Sequence, residues 1–196
     1  MSRGLGDVYK RQILLNIKII LKMFKPPFWN HQNTRFPKKE IEQVISEYKN
    51  NIPLKSGNYS SFYPNHPHPE SIWSENYLNI IKNIMLNIGL ETVTKYSYCL
   101  WGQLYIKGCN HLPHHHFRND DDRYDISFVH FIQTVDEPLF QFLNLKEDKY
   151  IPINQKDGDI IVFPSWLWHS VMTNKSNKER FVVAGNIRIN YMSCDP

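Results

Sequence analysis

The sequence predicts a mainly β domain, a β-sandwich or jelly roll with helices on one flank. Two segments with the helical period of apolar residues lie before residue 90, and from residue 92 the period changes from 3.6 to 2. Short β-rich segments then follow one another at even spacing. Because helices and strands are not interleaved along the chain, we expect two facing antiparallel sheets with the helices packed outside one of them.

The chain has 196 residues, which is enough for one domain with a substantial core. Its first twelve residues, MSRGLGDVYKRQ, resemble a translated adapter and contain no pattern that suits a fold. We therefore expect residues 1–22 to be a non-native or disordered leader, with Met23 as the true start; a frayed helix is the alternative for residues 13–24. Residues 23–196 would form a single domain with its β core at about 92–192.

The charge of the chain does not indicate a nucleic-acid partner. The formal net charge is +4, and residues 1–22 hold five basic residues against one acidic residue, so the chain from Met23 onward is neutral. Nucleic-acid binding would need basic residues concentrated on one face. No membrane partner is indicated either, because the apolar run 13–24 is broken by two lysines and is shorter than the roughly 20 residues that span a bilayer.

The cysteines favour a reducing compartment. Cys99, Cys109 and Cys194 are odd in number and lack the spacing of a zinc site, and no signal peptide precedes them. We expect free thiols and a cytoplasmic protein.

Two helices are predicted, near residues 38–50 and 71–88. In the first, Pro37 stands at the first turn, and one apolar stripe follows at i, i+3, i+4 and i+7: Ile41, Val44, Ile45 and Tyr48. The second has the same period and a plausible C-cap at Gly89; its apolar residues are Ile72, Tyr77, Ile80, Ile81, Ile84, Met85 and Ile88. Residues 52–69, rich in proline, are predicted to form a loop.

The strands are predicted from alternation and from their content of β-branched and aromatic residues. A glycine, proline, asparagine or aspartate cluster separates each segment from the next. The predicted strands are 92–107, 126–133, 139–143, 150–153, 159–163, 169–173 and 180–191.

The segment from Lys156 to Asn190, KDGDIIVFPSWLWHSVMTNKSNKERFVVAGNIRIN, carries the first functional indication. His169 and Arg180 begin successive strands, eleven residues apart. If those strands form an antiparallel hairpin in one sheet, the two side chains lie close together. An arginine fork holds a carboxylate through two parallel hydrogen bonds, so the pair suits a metal that chelates a small carboxylic acid.

Further metal ligands are available in the run His114-His115-His116. Side chains at i and i+2 of a strand share a face, so His114 and His116 can point together while His115 points away. Neutral imidazoles in that arrangement bind iron, zinc or copper. A run of surface histidines is the alternative, and it is weakened by His169 and Arg180 downstream.

The last predicted strand has one apolar face and one mixed face. The apolar face should pack on a core or on a helix: Phe181, Val183, Gly185, Ile187, Ile189 and Tyr191. The other face looks either into water or into a polar cavity: Arg180, Val182, Ala184, Asn186, Arg188 and Asn190. The arginines, the asparagines and the small Ala184 favour a cavity.

These motifs resemble the double-stranded β-helix oxygenases that use iron(II) and 2-oxoglutarate, and most closely their bacterial and phage branch. The resemblance spans about residues 98–192 and consists of His-x-His, a β-rich spacer, FPSWLWHSV, Arg180 and VVAGNI. It implies His114 as the first iron ligand, His169 as the distal ligand and Arg180 as the clamp on the far carboxylate of 2-oxoglutarate. Apart from the resemblance, Gln103 and Tyr105 share a strand face with Trp101 and are candidate cosubstrate contacts, with placement in the core or on the surface as the alternative. Asn186 is a further candidate contact.

One feature departs from the pattern of that superfamily. Most members have His-x-Asp or His-x-Glu where this chain has His114-His115-His116, so the position of the carboxylate falls to His116. The acidic triplet 120–122 could supply a carboxylate from a loop, although its spacing does not suit a strand pair and a solvated loop is the expected role.

We therefore expect an iron(II)- and 2-oxoglutarate-dependent dioxygenase that hydroxylates an unidentified substrate. A cupin-like metal-binding module without turnover is the first alternative, and a phage or cell-surface jelly roll with incidental histidines is the second. Arg180 separates the enzyme from the module, because a structural metal has no need of a carboxylate clamp. The substrate is not readable, since substrate loops vary freely on such folds.

Overall fold

A computed structural model describes most of the chain from residue 25 to residue 189. The described ranges are 25–31, 34–52, 59–61, 70–93, 95–117, 124–146, 148–153 and 155–189. The expected leader, the acidic triplet 120–122, Asn190, Tyr191 and Cys194 lie outside them.

The described residues form two antiparallel sheets and two helices. The helices are α1 (Lys38–Asn51) and α2 (Glu70–Asn87). The strands are β1 (Trp29–His31), β2 (Tyr59–Ser60), β3 (Tyr96–Tyr105), β4 (His111–His114), β5 (Ile126–Gln133), β6 (Phe140–Leu143), β7 (Lys149–Tyr150), β8 (Ile160–Pro164), β9 (His169–Val171) and β10 (Arg180–Ile189). The large sheet has the order β1-β8-β5-β10-β3-β2 and the small sheet the order β4-β9-β6-β7. The predicted fold class is confirmed.

Both helices were predicted within a few residues of their bounds, whereas three short strands were not predicted. β1 and β2 are edge strands of the large sheet, and β2 lies inside the segment predicted as a loop. β4 is an edge strand of the small sheet and contains Pro113, a residue that edge strands tolerate. Such short edges have too few residues for alternation to appear, and the predicted strand 150–153 likewise reduces to β7.

The hairpin predicted from His169 and Arg180 is wrong. β9 pairs with β4 and β6 in the small sheet, while β10 pairs with β3 and β5 in the large sheet. Residues 172–179 carry the chain from one sheet to the other, a connection longer than a tight hairpin turn. Asn174 holds this crossing, because its side-chain amide donates to the carbonyls of Tyr105 and Lys178. The two residues therefore lie on facing sheets.

Two hydrophobic clusters lie on either side of the large sheet. One packs both helices against the outer face of that sheet and includes Val44, Tyr48, Ile81, Phe181 and Ile187. The other fills the space between the sheets with aromatic rings, including Phe131, Phe140, Phe142 and Phe163. Each fully buried apolar side chain contributes on the order of 1.5–3 kcal/mol.

β10 separates the two clusters as its sequence predicts. Phe181, Val183 and Ile187 belong to the helix-side cluster, and Val182 belongs to the cluster between the sheets. Arg180 and Asn186 share the face of Val182 and are buried. The mixed face of the last strand therefore looks into the interior.

Neither described helix is long and apolar enough to cross a membrane.

We expect Gly185→Ala to destabilise the fold, because a Cβ at this position would collide with the ring of Phe128 and the side chain of Leu100 beneath the helices. Overpacking of this kind costs about 1–3 kcal/mol. The free energy of unfolding in urea measures the effect. Leu145→Ala, at a side chain that is 94% exposed, is the matched control and should change stability by less than about 0.5 kcal/mol. Equal stability of both variants would contradict the described packing.

Candidate metal and anion site

Three histidines meet between the sheets near one end of the sandwich. His114 ends β4 and His169 begins β9, and the two residues stand opposite each other in the strand pair. His116 follows β4, where its backbone N–H donates to the carbonyl of Ser165 at 2.8 Å. One ring nitrogen from each histidine lies within 4.8 Å of the other two.

Backbone carbonyls orient two of the rings. Nδ1 of His114 lies 2.9 Å from the carbonyl of Leu112, and Nδ1 of His169 lies 2.9 Å from the carbonyl of Leu167. A carbonyl can only accept, so each Nδ1 carries the proton and each Nε2 presents a lone pair. This is the usual arrangement of histidines that bind metal ions.

The spacing of the ring nitrogens fits a metal ion. Nε2 of His116 lies 3.2 Å from Nε2 of His169. Metal–nitrogen bonds of about 2.1 Å at angles between 90° and 109° would separate two ligand nitrogens by about 3.0–3.4 Å. Within the described residues the cluster contains no aspartate or glutamate.

Burial favours the neutral form of two of these imidazoles, those of His169 and His114. His169 is 4% exposed, and desolvation lowers its pKa well below the ordinary value, with a further contribution from the neighbouring His114 and His116. Desolvation also lowers the pKa of His114. Neutral imidazole is the form that binds a metal ion.

Arg180 faces the cluster from the large sheet. Its side chain is 2% exposed, and neither Nη1 nor Nη2 has a hydrogen-bond acceptor among the described residues. The rings of Tyr105 and Phe131 flank it, with Cζ 5.0 Å and 5.4 Å from the ring centroids. Desolvation lowers the pKa of the guanidinium from its ordinary value, and the Tyr105 hydroxyl partly offsets this effect. Such a group fits an anion that brings acceptor oxygens.

Gln103 and Tyr105 lie beside Arg180 on β3. Tyr105 is the partner of Arg180 in the strand pair and Gln103 is the partner of Val182, so all of them share the inner face of the large sheet. The Tyr105 hydroxyl donates to Oε1 of Gln103. Burial raises the pKa of Tyr105 to about 12, so the phenol is protonated and can donate a hydrogen bond.

A small cleft joins these groups. Every residue predicted for the site lines it: His114, His116, His169, Arg180, Gln103, Tyr105 and Asn186. The predicted exception, His115, points away and rests against Trp168, with ring centroids 4.7 Å apart.

His111 also lines this cleft, and its position was not predicted. Its ring stacks on that of His114, with centroids 4.2 Å apart, and its Nδ1 lies 3.4 Å from the Tyr105 hydroxyl. Desolvation, with smaller contributions from His114 and Arg180, lowers its pKa to about 4. The register of β4 shifts between His111 and His114, which sets both rings on one side despite their odd spacing.

Comparisons with known proteins agree with this geometry. Residues 102–186 match the family described as "Putative 2OG-Fe(II) oxygenase". No curated protein sequence matches the chain significantly.

Solved structures of low sequence identity share the fold. A prolyl-4-hydroxylase from Pseudomonas putida is 17% identical, with 89% of this chain and 98% of that chain covered and a TM-score of 0.59. The viral collagen prolyl hydroxylase from Paramecium Bursaria Chlorella virus-1, solved with 2-oxoglutarate, is 15% identical, with 83% and 96% covered and a TM-score of 0.54. HygX from Streptomyces hygroscopicus, solved with nickel, 2-oxoglutarate and hygromycin B, is 9% identical, with 90% and 87% covered and a TM-score of 0.57.

Proposed function

We propose that His114, His116 and His169 bind iron(II) and that Arg180 holds 2-oxoglutarate, in a chain whose residues 102–186 match the putative 2OG-Fe(II) oxygenase family. The chain is thus an iron(II)- and 2-oxoglutarate-dependent dioxygenase whose cofactors meet in the cleft between the sheets.

The buried guanidinium of Arg180 is the observation that carries this assignment. A buried guanidinium whose terminal nitrogens have no acceptor among the described residues is costly, because their desolvation is not compensated. A carboxylate in the cleft would supply the missing acceptors through a bidentate pair. A metal ion held for structure alone would leave Arg180 without a function.

The neighbours of Arg180 suit the same carboxylate. The protonated Tyr105 phenol can turn from Gln103 to donate to the anion, and Gln103 has an amide N–H₂ for a second bond. The far carboxylate of 2-oxoglutarate would then lie against the large sheet, with its keto acid end directed to the histidines of the small sheet.

The protein and its cofactors divide the work. Iron(II), when bound, supplies the oxygen activation that couples decarboxylation of 2-oxoglutarate to oxidation of a second substrate. The imidazoles of His114, His116 and His169 would hold it, and the cleft beside them would admit the cosubstrate. Phe140, Phe163 and Val171 line the cleft and exclude water from it, which strengthens the charge interactions inside.

A metal-binding module without turnover is the second candidate. The absence of a carboxylate from the cluster, within the described residues, favours it, because the family resemblance implies an acidic ligand at the position of His116. Arg180 favours the oxygenase. The two candidates differ in whether 2-oxoglutarate binds at all.

We propose that the partners are a small-molecule cosubstrate and a second substrate of unidentified class, without involvement of nucleic acid or membrane. The similar structures include prolyl hydroxylases and a protein solved with hygromycin B, so the fold alone does not select a substrate. We propose a cytoplasmic location, because a reducing compartment suits the free thiols of Cys99 and the buried Cys109.

Replacing a proposed ligand should abolish iron binding without unfolding the chain. His114→Ala and His169→Ala each remove one of three ligand nitrogens, so neither variant should bind iron(II) stoichiometrically in anaerobic calorimetry. His115→Ala is the matched control and should bind as the wild type does, because that ring points away from the cluster. Full iron binding by His114→Ala would contradict the assignment.

Replacing Arg180 should weaken the binding of 2-oxoglutarate and leave the binding of iron(II) unchanged. A charge-assisted hydrogen bond contributes on the order of 1.5–3 kcal/mol, so Arg180→Ala should weaken 2-oxoglutarate binding by roughly ten- to a hundredfold. The measurement is a titration of 2-oxoglutarate into the iron-loaded protein without oxygen. Arg180→Lys keeps the charge but loses the fork, so its affinity for 2-oxoglutarate should lie between those of the wild type and Arg180→Ala. Equal affinities in all three proteins would remove Arg180 from the site.

A further inference from the structure

We infer that Asn186 controls which nitrogen of His116 carries the proton, and that metal binding reverses the hydrogen bonds from His116 through Asn186 and Ser127 to Ser165. The inference rests on the proposed iron site. It concerns a positioning residue, because Asn186 acts on the metal through His116.

The three histidines differ in what faces Nδ1. For His114 and His169 it is a backbone carbonyl, which can only accept a hydrogen bond. For His116 it is the side-chain amide of Asn186, whose Nδ2 lies 3.1 Å from Nδ1 of the imidazole. An amide group can present either a donor or an acceptor, so it alone permits both tautomers of the facing ring.

The observed orientation fixes one tautomer. Oδ1 of Asn186 accepts from the Ser127 hydroxyl at 2.7 Å, which leaves Nδ2 to face His116. Because Nδ2 can only donate, Nδ1 of His116 is the acceptor and the proton of the neutral ring sits on Nε2. That Nε2 lies 3.2 Å from Nε2 of His169, whose lone pair is available to accept it.

The hydroxyls of Ser165 and Ser127 donate along the chain of hydrogen bonds in the same direction, towards Asn186. The Ser127 hydroxyl donates to Asn186, so it accepts from the Ser165 hydroxyl at 2.8 Å. Ser127, Ser165 and Asn186 are each at most 2% exposed, so these groups depend on one another for partners.

A metal ion bound to Nε2 of His116 requires these hydrogen bonds to run in the opposite direction. The ligand nitrogen must present a lone pair, so the proton must leave Nε2 and a proton must be taken up at Nδ1, with no change in net charge. Nδ1–H then needs an acceptor, which Oδ1 of Asn186 supplies once the amide has turned over. Nδ2 donates to Ser127, and the Ser127 hydroxyl donates to Ser165. Each of the three pairs, His116–Asn186, Asn186–Ser127 and Ser127–Ser165, thus keeps one hydrogen bond in both directions.

After this reversal, Asn186 accepts the hydrogen bond from Nδ1–H of His116, as backbone carbonyls do for His114 and His169. A carbonyl in its place would fix the metal-binding tautomer permanently. With an amide in this position, Nε2–H of His116 donates to His169 when no metal is present. When a metal binds, the same Nε2 is unprotonated and coordinates it.

Nitrogen-15 NMR of histidine-labelled protein reads the tautomers directly. We expect the chelator-treated protein to show His116 protonated at Nε2 and both His114 and His169 protonated at Nδ1; a His116→Gln variant assigns the His116 signals. Saturation with zinc(II), a diamagnetic probe, should move the His116 proton to Nδ1 and leave the other two unchanged. A His116 protonated at Nδ1 before zinc is added would overturn the inference. Failure of the wild type to bind zinc would overturn the iron site and with it the reversal, whereas the metal-free tautomer is decided by the first spectrum.

Two substitutions separate this role from simple packing. Asn186→Asp supplies a permanent acceptor for Nδ1–H, so cobalt(II) affinity in calorimetry should equal or exceed that of the wild type. Asn186→Leu keeps the number and branching of the side-chain heavy atoms and removes the acceptor, so affinity should fall by about ten- to a hundredfold, as for other lost partners of metal-binding histidines. A packing role would give the opposite order, because leucine would be tolerated and a buried carboxylate would not.

Gln141→Leu is the matched control, since this amide is also buried at 5% exposure and bonds to Ser170 in the small sheet. It should leave cobalt(II) affinity unchanged. Wild-type affinity in Asn186→Leu, or loss in Asn186→Asp alone, would overturn the inference.

Discussion

The buried cation of Arg180 is the constraint on which the interior depends. It enters the space between the sheets from the first residue of β10, where aromatic rings flank it and no described residue supplies an acceptor to its terminal nitrogens. A fold that had no use for this charge would gain stability by replacing it with an apolar side chain. Its retention opposite three histidines is explained if the cleft receives an anion that also reaches the metal.

The division of the site between two sheets follows from the connection at residues 172–179. Had β9 and β10 formed a hairpin, His169 and Arg180 would lie side by side, and an elongated diacid could not extend between them. With the crossing held by Asn174, the histidines occupy the small sheet and the guanidinium the large sheet. The cleft then has a metal end and a carboxylate end, which suits a molecule with an anionic group at each end.

Much of this arrangement was predictable from the sequence, and the remainder depends on which strands pair with each other. Alternation identified the long strands and the inward face of β10, because side-chain period is a local property. The sheet that each strand joins is not local, so β9 and β10 were assigned to one hairpin in error. His111 was missed for a related reason. A register shift in β4 turns it onto His114, and nothing in the run HLPHHH indicates where that shift falls.

If this chain consumes 2-oxoglutarate in the cleft between its sheets, the reaction depends on both iron(II) and Arg180. Succinate formed from 2-oxoglutarate by the purified protein in air, with and without iron(II), can be measured beside that formed by Arg180→Ala. We expect iron-dependent succinate from the wild type, even without a second substrate, and much less from the variant at the same concentration of 2-oxoglutarate. A folded, iron-loaded wild type that forms no succinate would contradict this expectation and favour a metal-binding module.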